Sequence, residues 1–388
     1  MARRPGQRAA ERASTAPEPE DPRKPDEVSD ITGRSWRFVL RKTIREFSAD
    51  QAPDLAAALT FFSVLAVFPA LLAFVSLVGL FGDPRETTEA ILELLAAFAP
   101  ASTIEAVREP IEQLATAPLA GFAFATGVIG ALWSASGFVG AFSRAMNRVY
   151  RIQEGRPFWK LRPVTLAVTV LAIIAAVISG VVITLSGPIA AELGRMLGLG
   201  SGVLAVWSVV RWPLLAALAV LLVAVLYYVT PNVRQPRFRW ISVGAAVALL
   251  VWAIASAGFA FYASSFGSYE RTYGSIGGII VFLLWVWISN MALLFGAELD
   301  AELERARQLQ AGIEAEEHIQ LPPRDTAVSE KAAAAHAADV ARGRALRIRS
   351  QWTPDAGAGR PRTLTALLVT LALAIGAAIA AALGLRRG

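Results

Sequence analysis

The chain has 388 residues, of which 55% are hydrophobic and 18% are charged, and its formal net charge is +6. Its mean hydropathy of +0.50 is that of a membrane protein, and the absence of cysteine excludes disulfides and thiol catalysis. Basic residues that flank membrane spans explain the positive charge better than binding to nucleic acid does.

Seven long stretches contain no charged side chain: 55–82, 113–143, 163–191, 212–233, 240–269, 272–297 and 363–385. A helix needs about 20 apolar residues to cross the hydrocarbon core of a bilayer. A backbone surrounded by lipid must also satisfy its own hydrogen bonds. The predicted fold class is therefore all-α: a polytopic helical membrane protein with a six-helix core and a seventh, C-terminal transmembrane helix.

Two segments precede the first span. Residues 1–33 contain five prolines among mixed charges and are expected to form a disordered cytoplasmic tail. In residues 34–48, apolar and basic side chains alternate, which predicts an amphipathic helix lying on the membrane surface. The alternative is a plain basic flank to the first span.

The membrane domain is expected at 34–308. Its predicted spans are 55–82, 119–143, 163–187, 207–229, 240–265 and 275–297. Between the first two spans, an N-cap pattern at Asp83 and a capping-box pattern at Ser102 predict two short helices, or else an irregular acidic loop.

The predicted C-terminal part begins where Glu298 to Gln310 continue the sixth span as a charged helix. Residues 309–362 are expected to be a cytoplasmic polar linker, partly helical and partly disordered, and 363–385 are the seventh span. Lys and Arg are concentrated before the first span, after the second and after the fourth. The excess of basic residues places the N-terminus in the cytoplasm and residues 83–112 outside.

Signals for catalysis are close to absent. The two histidines, His318 and His336, both lie in the polar tail, and no cluster of His, Asp and Glu has the spacing of metal ligands. No phosphate-binding loop and no nucleophile elbow occur. We therefore expect no enzyme, no catalytic or metal-binding residue and no cofactor.

Residues that depart from ordinary span composition are candidates for lining a path or for packing. Pro69 should free the backbone carbonyl of Leu65 near the middle of the membrane. Asn290 needs a hydrogen-bond partner within its span, whereas Glu298 is expected at the inner end, where water can reach it. The full set is Pro69, Ser134, Tyr269, Tyr273, Gly274, Asn290 and Glu298.

Basic and aromatic side chains follow the second span. Such a segment suits anionic lipid headgroups at the inner surface, and simple positive-inside anchoring explains it equally well. The candidate headgroup contacts are Arg144, Arg148, Arg151, Arg156, Trp159 and Lys160. The expected partners are membrane lipids, anionic at the cytoplasmic face, with a homo-oligomer or an envelope protein left open and no nucleic acid.

Several motifs, in the same order along the chain, resemble those of the YihY/BrkB family of bacterial inner-membrane proteins. They are residues 56–62, 68–69, 133–137, 231–233, 266–269, 273–275 and 296–298. The resemblance covers about 36–308. It implies six membrane helices, the family's virulence-factor name, a location in the bacterial cytoplasmic (inner) membrane, and roles in the envelope or in lipid transport. Members were once labelled ribonuclease BN, a label that the residues here give no reason to revive.

The leading functional hypothesis is an integral inner-membrane protein that transports or handles an amphiphilic, lipid-like component of the envelope. The alternative is a non-transporting scaffold or regulator in envelope biogenesis, for which the outer acidic hairpin and the polar tail are docking surfaces. A ribonuclease is the least favoured hypothesis.

Overall fold

The computed structural model describes residues 12–81, 120–184, 195–196, 201–236, 238–264, 275–351, 367–368 and 371. The chain divides into two compact units, residues 1–333 and 334–388, and the candidate site lies wholly in the first. Three sets of predictions lie outside the described residues: the hairpin at 83–112, the candidates Tyr269, Tyr273 and Gly274, and the seventh span apart from three positions.

Long helices follow one another along the described chain. They are α1 (Gly33–Ala49), α2 (Ala52–Phe81), α3 (Ala120–Val149), α4 (Phe158–Thr184), α5 (Ser201–Val229), α6 (Phe238–Ser264), α7 (Ser275–Gln310) and α8 (Ala327–Gln351). Within the described ranges, the five helices α3 to α7 are long and apolar enough to cross a membrane, and α2 contributes a shorter apolar segment, Ala52–Ala66. The predicted polytopic helical membrane fold is confirmed.

Several helices are longer than their predicted spans. The predicted span at 119–143 corresponds to α3, which continues to Val149, and the span at 275–297 corresponds to α7, which continues to Gln310. The 36 residues of α7 are about 54 Å long at a rise of 1.5 Å per residue. A hydrocarbon core is only about 30 Å thick, so the charged last turns of α7 project from it. Pro69 lies within α2, which is continuous from Ala52 to Phe81.

The six helices α2 to α7 close into a ring. Each packs on the next in chain order, and α7 returns to pack on α2. The helices alternate in direction, so the starts of α2, α4 and α6 lie at the same end as the ends of α3, α5 and α7. We call this the capped end, because α1 also packs there, on α7 and α2.

The buried core is concentrated in the half of the ring nearest the capped end. Phe142 of α3 stacks on Tyr227 of α5 with ring centroids 6.0 Å apart. The Tyr227 hydroxyl donates a hydrogen bond to the backbone carbonyl of Leu293 in α7, and Leu59 of α2 joins the same apolar cluster. Side chains from four helices thus close the ring at this end.

Small residues allow α6 and α7 to approach each other closely. A Cβ added to Gly296 would lie 2.5 Å from the carbonyl oxygen of Gly244 and 2.7 Å from the hydroxyl of Tyr227. The backbone N–H of Gly244 donates a 2.8 Å hydrogen bond to Oδ1 of Asp300, one turn further along α7. Helix pairs in membranes associate through such close contacts, because lipid is as apolar as the side chains.

Toward the opposite end, the ring is loosely packed. In the first half of α5, the half-buried side chains lie three or four residues apart: Leu204, Trp207, Arg211, Leu215 and Leu218. Residues at this spacing share one face of a helix. Exposed apolar side chains occupy the other faces, among them Val203, Val206 and Val209. Within residues 202–218 of α5, no side chain is buried, and most of the exposed ones are apolar.

The amphipathic helix predicted at 34–48 is α1, but one of its faces is buried in the protein. Thr32 begins the helix, and its hydroxyl oxygen accepts a hydrogen bond from the backbone N–H of Ser35. The face that packs on α7 carries Val39, Lys42, Thr43 and Glu46. The exposed face carries Arg34, Arg37, Leu40, Arg41, Ile44 and Arg45. The surface-helix pattern is therefore present, with two of its charged residues turned inward.

The polar segments on either side of the membrane domain are more ordered than expected. Residues 12–33 differ from the expected disordered tail, because Lys24 is buried and forms a 2.8 Å ion pair with Glu304. Residues 311–326, which we call the strap, pack back over the capped end instead of forming a free linker. The strap is followed by α8.

Candidate functional site

Three carboxyl groups meet at the capped end, where α1, α2 and α7 join. Glu298 of α7 is only 1% exposed, and its carboxyl lies beside that of Asp50, the residue that ends α1. Glu46 forms an ion pair with Lys42 at 2.5 Å and a second, very close one with Arg151. The expectation that water would reach Glu298 is therefore wrong, since α1 packs over this turn of α7.

These carboxyl groups differ in their tendency to ionise. Burial raises the pKa of Asp50; the charge of Arg151 opposes this rise, and the charge of Glu46 adds to it. Burial also acts to raise the pKa of Glu46, but the hydrogen bond from Lys42 and the charge of Arg151 outweigh it, so this pKa is lowered.

Arg151 reaches the cluster from the end of α3. Its φ of 49° is left-handed, a conformation that residues other than glycine seldom adopt. The next backbone N–H, that of Ile152, donates to the carbonyl of Asn147 at 2.9 Å and closes the helix terminus. The turn directs the side chain of Arg151 toward Glu46, so the ion pair joins α3 to α1.

A row of buried ion pairs follows Glu298 along α7. Arg305 pairs with Glu302 at 2.8 Å, and Arg307 pairs with Glu304 at 2.6 Å. Glu304 also receives Lys24 from the N-terminal segment. Arg305 donates to the carbonyl of Ala315 in the strap at 2.8 Å. This charged turn of α7 therefore holds both the N-terminal segment and the strap.

Arg156 lies inside the capped end. It is 7% exposed, and its guanidinium donates to Glu154, to the hydroxyl of Ser143 and, at 2.6 Å, to the carbonyl of Thr230. Burial acts to raise the pKa of Glu154, but the hydrogen bond and charge of Arg156 outweigh it and lower this pKa. Arg156 joins the loop after α3 to the end of α5, and its buried position removes it from the candidate headgroup contacts.

Asn232 connects three segments of the capped end. Its backbone N–H donates to Oδ1 of Asn147, and its Nδ2 donates to the carbonyls of Gln153 and Asp325. Its Oδ1 accepts from the backbone N–H of Asp325 at 3.2 Å. Lys160 pairs with the carboxylate of Asp325 at 2.7 Å. The strap is thus joined to the loops after α3 and α5.

The other candidate headgroup contacts have different surroundings. The guanidinium of Arg144 lies 5.8 Å from the ring centroid of Phe62. Arg148 donates to the side chain of Gln51 at 2.7 Å. Trp159 is highly exposed. Arg151 and Lys160 are exposed but engaged in the ion pairs described above, and Arg156 is the buried member of the set.

Of the candidate path residues, the structure describes the side chains of Ser134, Asn290 and Glu298, which lie in different surroundings. Asn290 has the partner that its position requires: its Nδ2 donates to Oγ1 of Thr60 at 3.1 Å. Ser134 lies half-buried on α3, and Glu298 belongs to the carboxyl cluster two turns further along α7. Within the described residues, no group of three or more His, Asp or Glu side chains is placed to hold a metal ion.

Several residues that organise the capped end are not recognisable from the sequence. Lys24, Asn147 and the strap residue Asp325 bond to partners that are distant in sequence, so no local pattern marks them. Asn232 falls within one of the family motifs, residues 231–233, which does not show what it bonds to. The only available signal was the unusual density of charge in the last turns of α7.

A ring of apolar helices with a charged, hydrogen-bonded end defines a polytopic α-helical membrane protein. The family described as Virulence factor BrkB matches residues 43–319, and the chain belongs to this family. The ribonuclease-like protein YfkH of Bacillus subtilis is 30% identical over 274 residues, which cover 70% of this chain and 96% of YfkH.

Membrane proteins designated UPF0761 are also similar. The one from Alteromonas mediterranea is 31% identical over 191 residues, covering 47% of this chain and 60% of that protein. The one from Alkalilimnicola ehrlichii is 29% identical over 265 residues, covering 65% of this chain and 55% of that protein. The chain thus spans a little over half the length of these two relatives. No solved structure matches the chain.

Proposed function

We propose that this protein binds and moves an amphiphilic, lipid-like component of the bacterial envelope. The observation that supports this proposal is the uneven packing of the ring. Its capped half is closed by aromatic stacking, whereas α5 exposes Val203, Val206 and Val209 toward the opposite end, where we infer that the ring opens. An opening with apolar walls suits acyl chains, since it offers few polar partners to an ion or a sugar.

The proposed location is the bacterial cytoplasmic membrane, with the capped end in the cytoplasm. The distribution of charge supports this orientation. The exposed arginines Arg34, Arg37 and Arg41 of α1 lie at the capped end, and an excess of Lys and Arg is typical of the cytoplasmic side. The opening of the ring would then face the outer leaflet.

A second candidate function is a scaffold or regulator without transport. It is favoured by α8, in which every residue from 334 to 349 except Val340 is exposed. A helix with so little burial does not contribute to a core of its own, and a partner protein could dock on it. This function requires α8 and not the opening of the ring.

Lipid movement in proteoliposomes tests the first proposal. Headgroup-labelled lipid in the outer leaflet can be bleached by an impermeant reductant, and lipid that crosses during the assay becomes bleached as well. The expected result is faster crossing than in protein-free liposomes. The proposal is wrong if folded protein leaves the rate unchanged for zwitterionic and anionic lipids alike.

A matched pair of single cysteines locates the path. The chain contains no cysteine, so Val209→Cys at the opening and Leu250→Cys on α6, both exposed apolar positions, can each carry a bulky maleimide. The label at 209 should slow lipid crossing, and the label at 250 should not. If the protein moves lipid, deletion of 334–388 should leave lipid crossing intact. If the protein is a scaffold, the same deletion should abolish binding of its partner.

A further inference from the structure

Arg162 is held between aromatic rings at the start of a membrane-crossing helix. Its guanidinium carbon lies 4.1 Å from the ring centroid of Trp133 in α3 and 5.7 Å from that of Phe158 in α4. Its Nη1 donates a 3.0 Å hydrogen bond to the hydroxyl of Ser136. Stacking and this hydrogen bond fix the plane of the guanidinium group.

One edge of this guanidinium has no partner. Within the part of the chain that the structure describes, Arg162 forms no ion pair, and its Nε is buried without an acceptor. Nη1 is used by Ser136, which leaves the edge formed by Nε and Nη2. Because Nε is enclosed, an anion would reach this edge through Nη2, with a charge-assisted hydrogen bond.

The neighbouring basic residues differ from Arg162 in this respect. Arg156 is enclosed with Glu154, and Lys160 pairs with Asp325. Arg162 is also close to the start of α4, where the positive end of the helix dipole favours an anion. The local charge is therefore uncompensated at Arg162 and compensated at the two cations nearest to it in sequence.

Lipid is the occupant that fits this position. Trp133 is 59% exposed and Phe158 is 66% exposed, on helices that cross the membrane and beside the capped end, where α4 begins. Amphipathic aromatic side chains are typical of the boundary between headgroups and acyl chains. A molecule that covers these rings and also supplies an anion to Arg162 combines an acyl chain with a phosphate.

We propose that Arg162, Trp133, Phe158 and Ser136 form a binding site for an anionic phospholipid of the leaflet at the capped end. The headgroup phosphate accepts a hydrogen bond from Nη2 of Arg162, and an acyl chain lies against Trp133. This site does not depend on lipid movement, because a lipid bound here supports the junction of α3 and α4 in a transporter and in a scaffold alike.

The test uses the purified full chain in nanodiscs that contain phosphatidylglycerol or phosphatidylcholine. Removal of the positive charge in Arg162→Gln should weaken retention of phosphatidylglycerol by about tenfold, which corresponds to the loss of one charged hydrogen bond. Arg342→Gln, which removes an exposed arginine paired with Asp339 on α8, should change retention by less than about twofold. Arg162→Lys should restore part of the retention.

A second measurement does not require that Arg162 variants fold. Phosphatidylglycerol with brominated acyl chains should quench tryptophan fluorescence of the wild-type chain more strongly than brominated phosphatidylcholine, and Trp133→Phe should reduce this difference. Displacement of the lipid by inorganic phosphate at millimolar concentration would assign the site to a free anion and overturn the lipid proposal. Equal retention of the two lipids by the wild-type chain would overturn it as well.

The two proposals can fail separately. Selective retention of phosphatidylglycerol without accelerated lipid crossing leaves the site and removes the transport function. Accelerated crossing that is equally fast in Arg162→Gln, together with unselective retention, leaves the transport function and removes the site.

Discussion

The backbone N–H of Asn232 donates to the side-chain oxygen of Asn147 at 2.7 Å, and both residues are buried at the capped end. The same Asn147 donates through its Nδ2 to Glu154. Two asparagines thus connect the turn after α5, the loop after α3 and, through Asp325, the strap. Buried polar groups of this kind stabilise a structure only when every donor and acceptor has a partner.

Replacement of Asn232 by alanine should destabilise the protein. The change leaves the carbonyls of Gln153 and Asp325 without their donor, and each buried group left unsatisfied costs about 1–3 kcal/mol. The measurement is thermal melting of the detergent-solubilised protein. Arg234→Ala, which removes an exposed side chain two positions further on, is the control, and equal melting of the two variants would contradict the prediction.

Gly296→Ala should disrupt the contact between α6 and α7. The new methyl group would lie 2.5 Å from the carbonyl of Gly244, and overpacking of this kind costs about 1–3 kcal/mol or more. Gly278→Ala in the same helix has nothing within 4 Å and should be neutral or slightly stabilising. Melting temperature and yield of monodisperse protein measure the difference, and similar values for both variants would be evidence against the close contact.

Asp50→Asn should change how stability depends on pH. The pKa of Asp50 is raised in the folded protein. Its contribution to the free energy of unfolding is therefore fully present below its ordinary pKa of 3.8 and is lost as pH rises through the folded-state pKa. Asparagine removes this loss, so the melting temperature of the variant relative to wild type should increase with pH. The exposed Asp54, which lies outside this cluster, supplies the control substitution, Asp54→Asn. A difference for Asp50→Asn that is independent of pH would disprove the assignment.

Asn290 and Thr60 should be energetically coupled. A hydrogen bond between membrane helices contributes about 0.6 kcal/mol on average, so the effects of Asn290→Leu and Thr60→Val should not be additive in a double-mutant cycle. If Asn290 only supports packing, the yield of folded protein and lipid crossing should fall together. Normal melting with lost crossing would instead place Asn290 on the path.

Cysteine labelling should establish the orientation. A cysteine at Leu95, in the predicted outer hairpin, should react in intact cells with an impermeant maleimide. A cysteine at Lys331, an exposed position of α8, should react only after permeabilisation. The loop at Gly155 is unsuitable for a label, because a Cβ there would lie 1.8 Å from the carbonyl of Asp325. The reverse labelling pattern would show that the orientation is opposite to the one proposed.

Hydrophobic runs and loop charges predicted the elements of the fold far better than the contacts between them. The six core spans are recognisable because lipid requires long uncharged helices, and Asn290 was expected to need a partner. The exposure of Glu298 was misjudged, because its position directly after the uncharged run 272–297 does not show that α1 packs over it. The pairing of Lys24 with Glu304 joins residues that are far apart in sequence, so no local pattern indicates it.

The order of synthesis gives the strap a further consequence. The six core helices leave the ribosome before residues 311–326 do, so the membrane segments can insert while Asn232 and Arg305 still lack their bonds to the strap. The capped end is therefore completed last, from the cytoplasm if the proposed orientation holds. Quality-control proteases that act on unfinished membrane proteins would meet an accessible end until the strap has docked, and a chain that ends at residue 310 would stay in that state.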